Sequence, residues 1–120
     1  MTRARVIPIV LLLSACSLDS GNPSDGSAPI VVIDAPLNGA VVANQVAIQV
    51  TAVDDFGVDK VEIVIDNNPA IVLFDPPYVT TWNTASVPDN TTHTILARAY
   101  DVARNVGSRQ ITVTVDKGVQ

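Results

Sequence analysis

Val46-Ala47-Ile48-Gln49-Val50-Thr51-Ala52-Val53 is the stretch whose reading decides the fold. Val46, Ile48, Val50 and Ala52 fall on one side of an extended chain, with Ala47, Gln49, Thr51 and Val53 on the other. A period of two with β-branched residues is the pattern of a strand with one buried face. The same alternation recurs downstream. Val61, Ile63 and Ile65 alternate with Glu62, Val64 and Asp66; His93, Ile95, Ala97 and Ala99 share a face, as do Ile111, Val113 and Val115. Tyr78, Thr80 and Trp82 share a face of another strand, and shorter apolar runs stand at residues 30–33 and 70–74. Turn residues separate these runs: Asp34-Ala35-Pro36, Asn38-Gly39 and Pro76-Pro77. About seven short strands, with no amphipathic stretch of helix length after residue 16, predict an all-β fold: a two-sheet antiparallel β-sandwich.

Composition agrees. Valine occurs 20 times and threonine 10 times among 120 residues, and both fit a pleated sheet better than a helix. The net charge is −5, from 7 Lys+Arg against 12 Asp+Glu, which argues against a nucleic-acid partner because phosphate binding needs a basic face.

The amino-terminal end reads differently. Arg3 and Arg5 precede an apolar run at residues 6–13 broken only by Pro8. Eight residues rise about 12 Å as a helix, short of the roughly 20 residues that span a bilayer, so the run reads as a secretory signal. Leu13-Ser14-Ala15-Cys16 at its end resembles the lipobox of bacterial lipoproteins. That resemblance implies cleavage before Cys16 and a lipid on its sulfur. The alternative is an ordinary signal peptide with a chance cysteine, but Cys16 is the chain's single Cys and stands where the motif requires it. The expected organisation is a signal at residues 1–15, a lipidated Cys16 with a flexible tether to residue 28, a sandwich at residues 29–116 and a tail at 117–120. The tether, Ser17 onward, is Ser, Gly, Asp and Pro with one Leu, too polar to order itself. Loss of Arg3 and Arg5 would take the charge from −5 to −7. The expected location is outside the cytoplasm, anchored to a membrane by lipid. Ser17 in place of Asp favours the outer membrane if the source is Gram-negative, as the lipoprotein resemblance implies.

The remainder resembles a bacterial Ig-like domain. The resemblance rests on residues 35–40, residues 52–58, residues 61–66, Pro77-Tyr78, Thr81-Trp82-Asn83-Thr84, residues 93–101 and Asn105-Val106-Gly107. It implies an Ig-like topology and a role in binding at the cell envelope. Two turn positions depart from the family pattern: Arg104 stands where Gly is usual, and Asp66-Asn67-Asn68-Pro69 where Asn-Gly or Asp-Gly is usual.

Little in the sequence can do chemistry. His93 is the single His, Cys16 is claimed by lipid, and no Gly-x-Ser-x-Gly elbow or Gly-rich phosphate loop occurs. A non-enzymatic role is therefore expected, with no cofactor. One cation reading stays open: in an Ig topology the loops carrying Asp54 and Asp55 and those carrying Asp101 and Asn105 share an end, and hard oxygen ligands suit calcium. The alternative is that these residues only make turns. Val64, Leu96, Tyr100 and Arg98 would lie on the outward face of two neighbouring strands, a candidate patch for a protein partner, or else cross-strand pairs that only stabilise the sheet. A glycan is disfavoured because aromatics total five and Tyr100 alone reads as exposed. Three functions follow: a membrane-anchored Ig-like binding or structural module at the bacterial cell envelope, an accessory domain docking onto a larger surface or secreted enzyme or assembly, or a weak calcium- or glycan-binding module.

Overall fold

The computed structural model describes residues 26–118. The expected signal, the Leu13-Ser14-Ala15-Cys16 motif and most of the tether lie outside the described residues.

Among the described residues, eight strands make two sheets packed face to face. They are β1 (Ile30–Ala35), β2 (Val41–Val42), β3 (Gln45–Val53), β4 (Val58–Ile65), β5 (Ile71–Leu73), β6 (Tyr78–Asn83), β7 (Thr91–Asp101) and β8 (Val106–Val115). One sheet has the order β1-β3-β6 and the other β2-β8-β7-β4-β5. The alternation read from the sequence sets the inner faces. Ile48, Val61, Ile63, Ile95, Ala97, Ala99 and Val115 have no exposed surface, and Val31, Ile33, Val50, Tyr78, Ile111 and Val113 close the core around them. Trp82, partly buried, packs on this cluster from β6. At about 25 cal/mol per Å² of apolar surface removed from water, each such aliphatic side chain contributes about 1.5–3 kcal/mol.

The fold is as expected, with four local differences, the first being that β1 runs on through Asp34 and Ala35, which the sequence read as turn. The added strand is β2, whose two residues pair in parallel with β8 through Val41↔Thr114 and Val42↔Val115. Two residues cannot display a period, so β2 left no pattern to read. The fourth strand covers residues 71–73 rather than 70–74, because its pairing with β4 runs only from Ile71 to Leu73. The last strand begins at Val106, well before Ile111. In its first half Val106, Ser108, Arg109 and Gln110 are exposed and Gly107 faces Pro29, where an added methyl would stand 1.9 Å from the carbonyl oxygen.

Turns place the strands. Gly39 at φ +85° closes the Asn38-Gly39 turn, and its N–H donates to the Thr112 carbonyl at 2.7 Å. Asp66 (φ +56°) and Asn67 (φ +100°) are the two left-handed residues of the β4–β5 turn, closed by Asn68 N–H to the Ile65 carbonyl. That is the geometry that Asn-Gly or Asp-Gly adopts most easily. Arg104 takes φ +71° in the β7–β8 turn. At both positions non-glycine residues take the left-handed backbone that glycine adopts without strain.

Candidate functional site

The outer face of the five-stranded sheet gathers the residues that the sequence singled out. Register sets Val64 opposite Leu96, Glu62 opposite Arg98 and Lys60 opposite Tyr100 across β4 and β7. Direct opposition puts each pair on one face, at contact distance for long side chains. All six are half-buried rather than fully exposed, because each leans on its partner. Glu62 is the hub: its Oε1 accepts from the Tyr100 hydroxyl at 2.9 Å and lies 3.2 Å from Arg98 Nη2. Lys60 Nζ stands 3.9 Å from Glu62 Oε2 and 4.8 Å above the Tyr100 ring. The hydrogen bond to the Glu62 carboxylate, with burial and the negative charge of Glu62, raises the Tyr100 hydroxyl above its ordinary pKa; Arg98 opposes this. Such ion pairs contribute about 0–1 kcal/mol each, so the network fixes side-chain positions more than it stabilises the fold.

The patch is wider than the four residues expected. Val72 on β5 stands opposite Glu62 and is exposed, and Val106 on β8 stands opposite Tyr100 and is exposed. A three-residue edge strand and the unpatterned start of β8 gave no signal by which to place them on this face.

The two acidic loops each make bonds of their own. Asp101 is buried; its Oδ1 accepts from the Asn105 N–H at 2.8 Å and its Oδ2 from Asn105 Nδ2 at 2.9 Å. The pair thus braces the β7–β8 turn, and Asn105 Nδ2 also donates to the Ser27 carbonyl at 3.3 Å. Asp54 Oδ2 accepts from the Phe56 N–H at 3.0 Å as an Asx turn, while its Oδ1 is buried without a hydrogen-bond partner. Asp55 is exposed. Among the described residues, no three of His, Cys, Asp and Glu form a group that could hold a metal ion.

His93 is held at the opposite end of β7. Its Nδ1 lies 2.6 Å from Asp66 Oδ2, its Nε2 lies 2.6 Å from Thr91 Oγ1, and its ring meets Trp82 edge-on at 5.5 Å. Thr91 in turn donates to the Pro88 carbonyl at 2.6 Å, and Asp66 Oδ1 accepts from the Thr94 N–H at 3.0 Å. Asp66 therefore clamps the β4–β5 turn onto β7, a link that no spacing in the sequence announces.

Comparison with known proteins bears on the whole sandwich. Among curated proteins, none matches the chain. Among solved structures it is similar to the fibronectin(III)-like modules of Clostridium thermocellum CbhA, with 22% identity, a TM-score of 0.60, and coverage of 73% of this chain and 98% of that one. It is also similar to part of the endo-beta-1,4-mannanase from Thermotoga petrophila, with 14% identity, a TM-score of 0.62, and coverage of 78% of this chain and 21% of that one. Both likenesses are in fold. The bacterial Ig domain family matches residues 29–97, more than half of the sequence and six of the eight strands among the described residues with most of a seventh, and the chain belongs to that family.

Proposed function

We propose that this chain is a non-catalytic Ig-like module, exported and held on a membrane by lipid at Cys16, that docks onto a larger surface or secreted protein. The outer face of the five-stranded sheet carries this reading. Val64, Leu96, Val72 and Val106 supply apolar area around the ordered Glu62, Arg98, Tyr100 and Lys60. Interfaces combine such a core with positioned aromatic and Arg side chains, and pre-set rotamers lower the ordering cost of binding. The accessory role draws on the fold neighbours, since one is a module of CbhA and the other accounts for a fifth of a mannanase. The lipid anchor rests on Leu13-Ser14-Ala15-Cys16, and Ser17 favours an outer membrane where the envelope has one.

Photo-crosslinking in intact cells, with the crosslinker at Val72, tests the face. The parent protein is expected to yield one discrete adduct that Leu96→Glu abolishes while the melting temperature holds. An adduct unchanged by Leu96→Glu in a folded protein overturns the assignment.

A further inference from the structure

Both ring nitrogens of His93 are engaged, Nδ1 at 2.6 Å from Asp66 Oδ2 and Nε2 at 2.6 Å from Thr91 Oγ1. A neutral imidazole carries one N–H and an imidazolium carries two, so the partners decide which form completes the site. The Asp66 carboxylate only accepts, so Nδ1 donates to it. Thr91 Oγ1 has a single proton, and the Pro88 carbonyl stands 2.6 Å from it. A carbonyl also only accepts, so the hydroxyl proton goes to Pro88 and Oγ1 receives from Nε2. The chain of bonds Asp66–His93–Thr91–Pro88 is therefore complete only when the ring carries both protons.

We propose that His93 is a pH-operated latch: closed as the imidazolium, it ties the β6–β7 loop (residues 84–90) to the sheet, and loss of one ring proton releases that loop. Asp66 fixes which proton leaves. Its Oδ1 is held by the Thr94 N–H at 3.0 Å, so Oδ2 stays at Nδ1 and keeps the proton there. Nε2 then becomes an acceptor, and it competes with the Pro88 carbonyl for the one proton of Thr91. Whichever loses is left lone pair to lone pair with Oγ1. The ring is tied to Asp66 and packed edge-on against Trp82, whereas Pro88 is exposed in a turn, so the loop is the part that yields.

The surroundings leave this exchange to Asp66. From β6 the ring meets Trp82, across β8 its register partner is Val113, and the loop reaches it through the Pro88 carbonyl and Thr91. The charged groups nearby in sequence are engaged elsewhere. Asp89 Oδ1 accepts from the Lys117 N–H, Lys117 Nζ donates to the Ala85 carbonyl, and Asp116 Oδ1 accepts from the Gly118 N–H. The ties from Lys117 are exposed and lie beyond the end of β8, so the Thr91–Pro88 bond is the loop's link to His93. Because the closed form holds the additional proton, the latch closes at low pH and opens as pH rises, within the range of pH 5 to 8 where histidine serves as a switch.

Nitrogen NMR of the ring, with amide exchange read alongside in the full chain carrying Cys16→Ser, tests the proposal; His93 is the single His. On raising the pH, Nε2 is expected to lose its proton while Nδ1 keeps its own. In step with that change, the Val87 N–H, which donates to the Thr84 carbonyl within the loop, is expected to exchange at least about tenfold faster than hydroxide catalysis alone accounts for. His93→Gln, which cannot titrate, is expected to abolish the step. Thr91→Val, which cuts the loop from the ring, is expected to show the fast exchange at every pH, and it serves alone if His93→Gln does not fold. A neutral ring that keeps its proton on Nε2 overturns the proposal. Loop exchange that does not follow the ring, or that follows it unchanged in Thr91→Val, overturns it equally.

Discussion

Gly107 carries more structural weight than its place in a turn motif conveys. It lies on the inner side of β8, where the Pro29 carbonyl comes so close that an added methyl would sit 1.9 Å from the oxygen and 3.0 Å from the carbon. Both atoms belong to backbone, which cannot rotate aside as a side chain would. Gly107→Ala is therefore expected to destabilise by about 3 kcal/mol and lower the melting temperature by roughly 12–20 °C for a domain of this size, measured by thermal denaturation. Arg104 shows the opposite case. At φ +71° its Cβ crowds the backbone, a strain of about 1–2 kcal/mol that glycine escapes. Arg104→Gly is expected to raise the melting temperature by several degrees, somewhat offset by the greater freedom of glycine in the unfolded chain. The sequence identified Arg104 as a departure from the family pattern. It could not reveal the cause of Gly107, which lies in a segment 78 positions away.

The cross-strand ladder of β4 and β7 belongs to the next scale. Alternation made β3, β4, β7 and the second half of β8 legible, because burial on one face imposes a period of two. Strands of two or three residues have no period, so β2 and the exact bounds of β5 were illegible. Outward residues were legible as a group for the same reason that the core was, and Val64, Leu96, Arg98 and Tyr100 do share a face. That Glu62 would serve both Arg98 and Tyr100, and that Asp66 would reach His93 and the Thr94 N–H, needed the register. The Tyr100–Glu62 bond has a consequence in pH. The hydrogen bond favours the neutral phenol, so its folded pKa lies above the unfolded value of 10.0. Tyr78 is raised as well, by burial and then by the charge of Asp75. Stabilisation from a raised group is complete below the unfolded pKa and is lost as pH rises through the folded one. Denaturant midpoints are thus expected to fall from about pH 10 upward. Glu62→Gln, which keeps an acceptor but loses the charge, is expected to make that fall shallower; an unchanged slope would refute the coupling.

At the scale of the molecule, the point where the chain enters the sandwich orients everything else. Ser27 is bonded to Asn105, Pro29 is buried against Gly107, and Ser27, Ala28, Asp54 and Asp55 line one hollow. The described chain therefore enters the sandwich at the end that carries the acidic loops, and His93, Trp82 and Lys117 stand toward the other end. A lipid on Cys16 would place the acidic end nearest the membrane, where an anionic leaflet repels it. Membrane association in this arrangement would come from acyl chains alone, each buried methylene adding about 0.8 kcal/mol. Cys16→Ser is thus expected to move the protein from the membrane pellet to the soluble fraction and to abolish labelling by an alkyne fatty acid. The unlipidated variant is further expected not to bind vesicles containing anionic lipid at low salt, where attraction would be strongest. Retention of the variant in the pellet, or its capture by such vesicles, would mean that the fold itself meets the membrane.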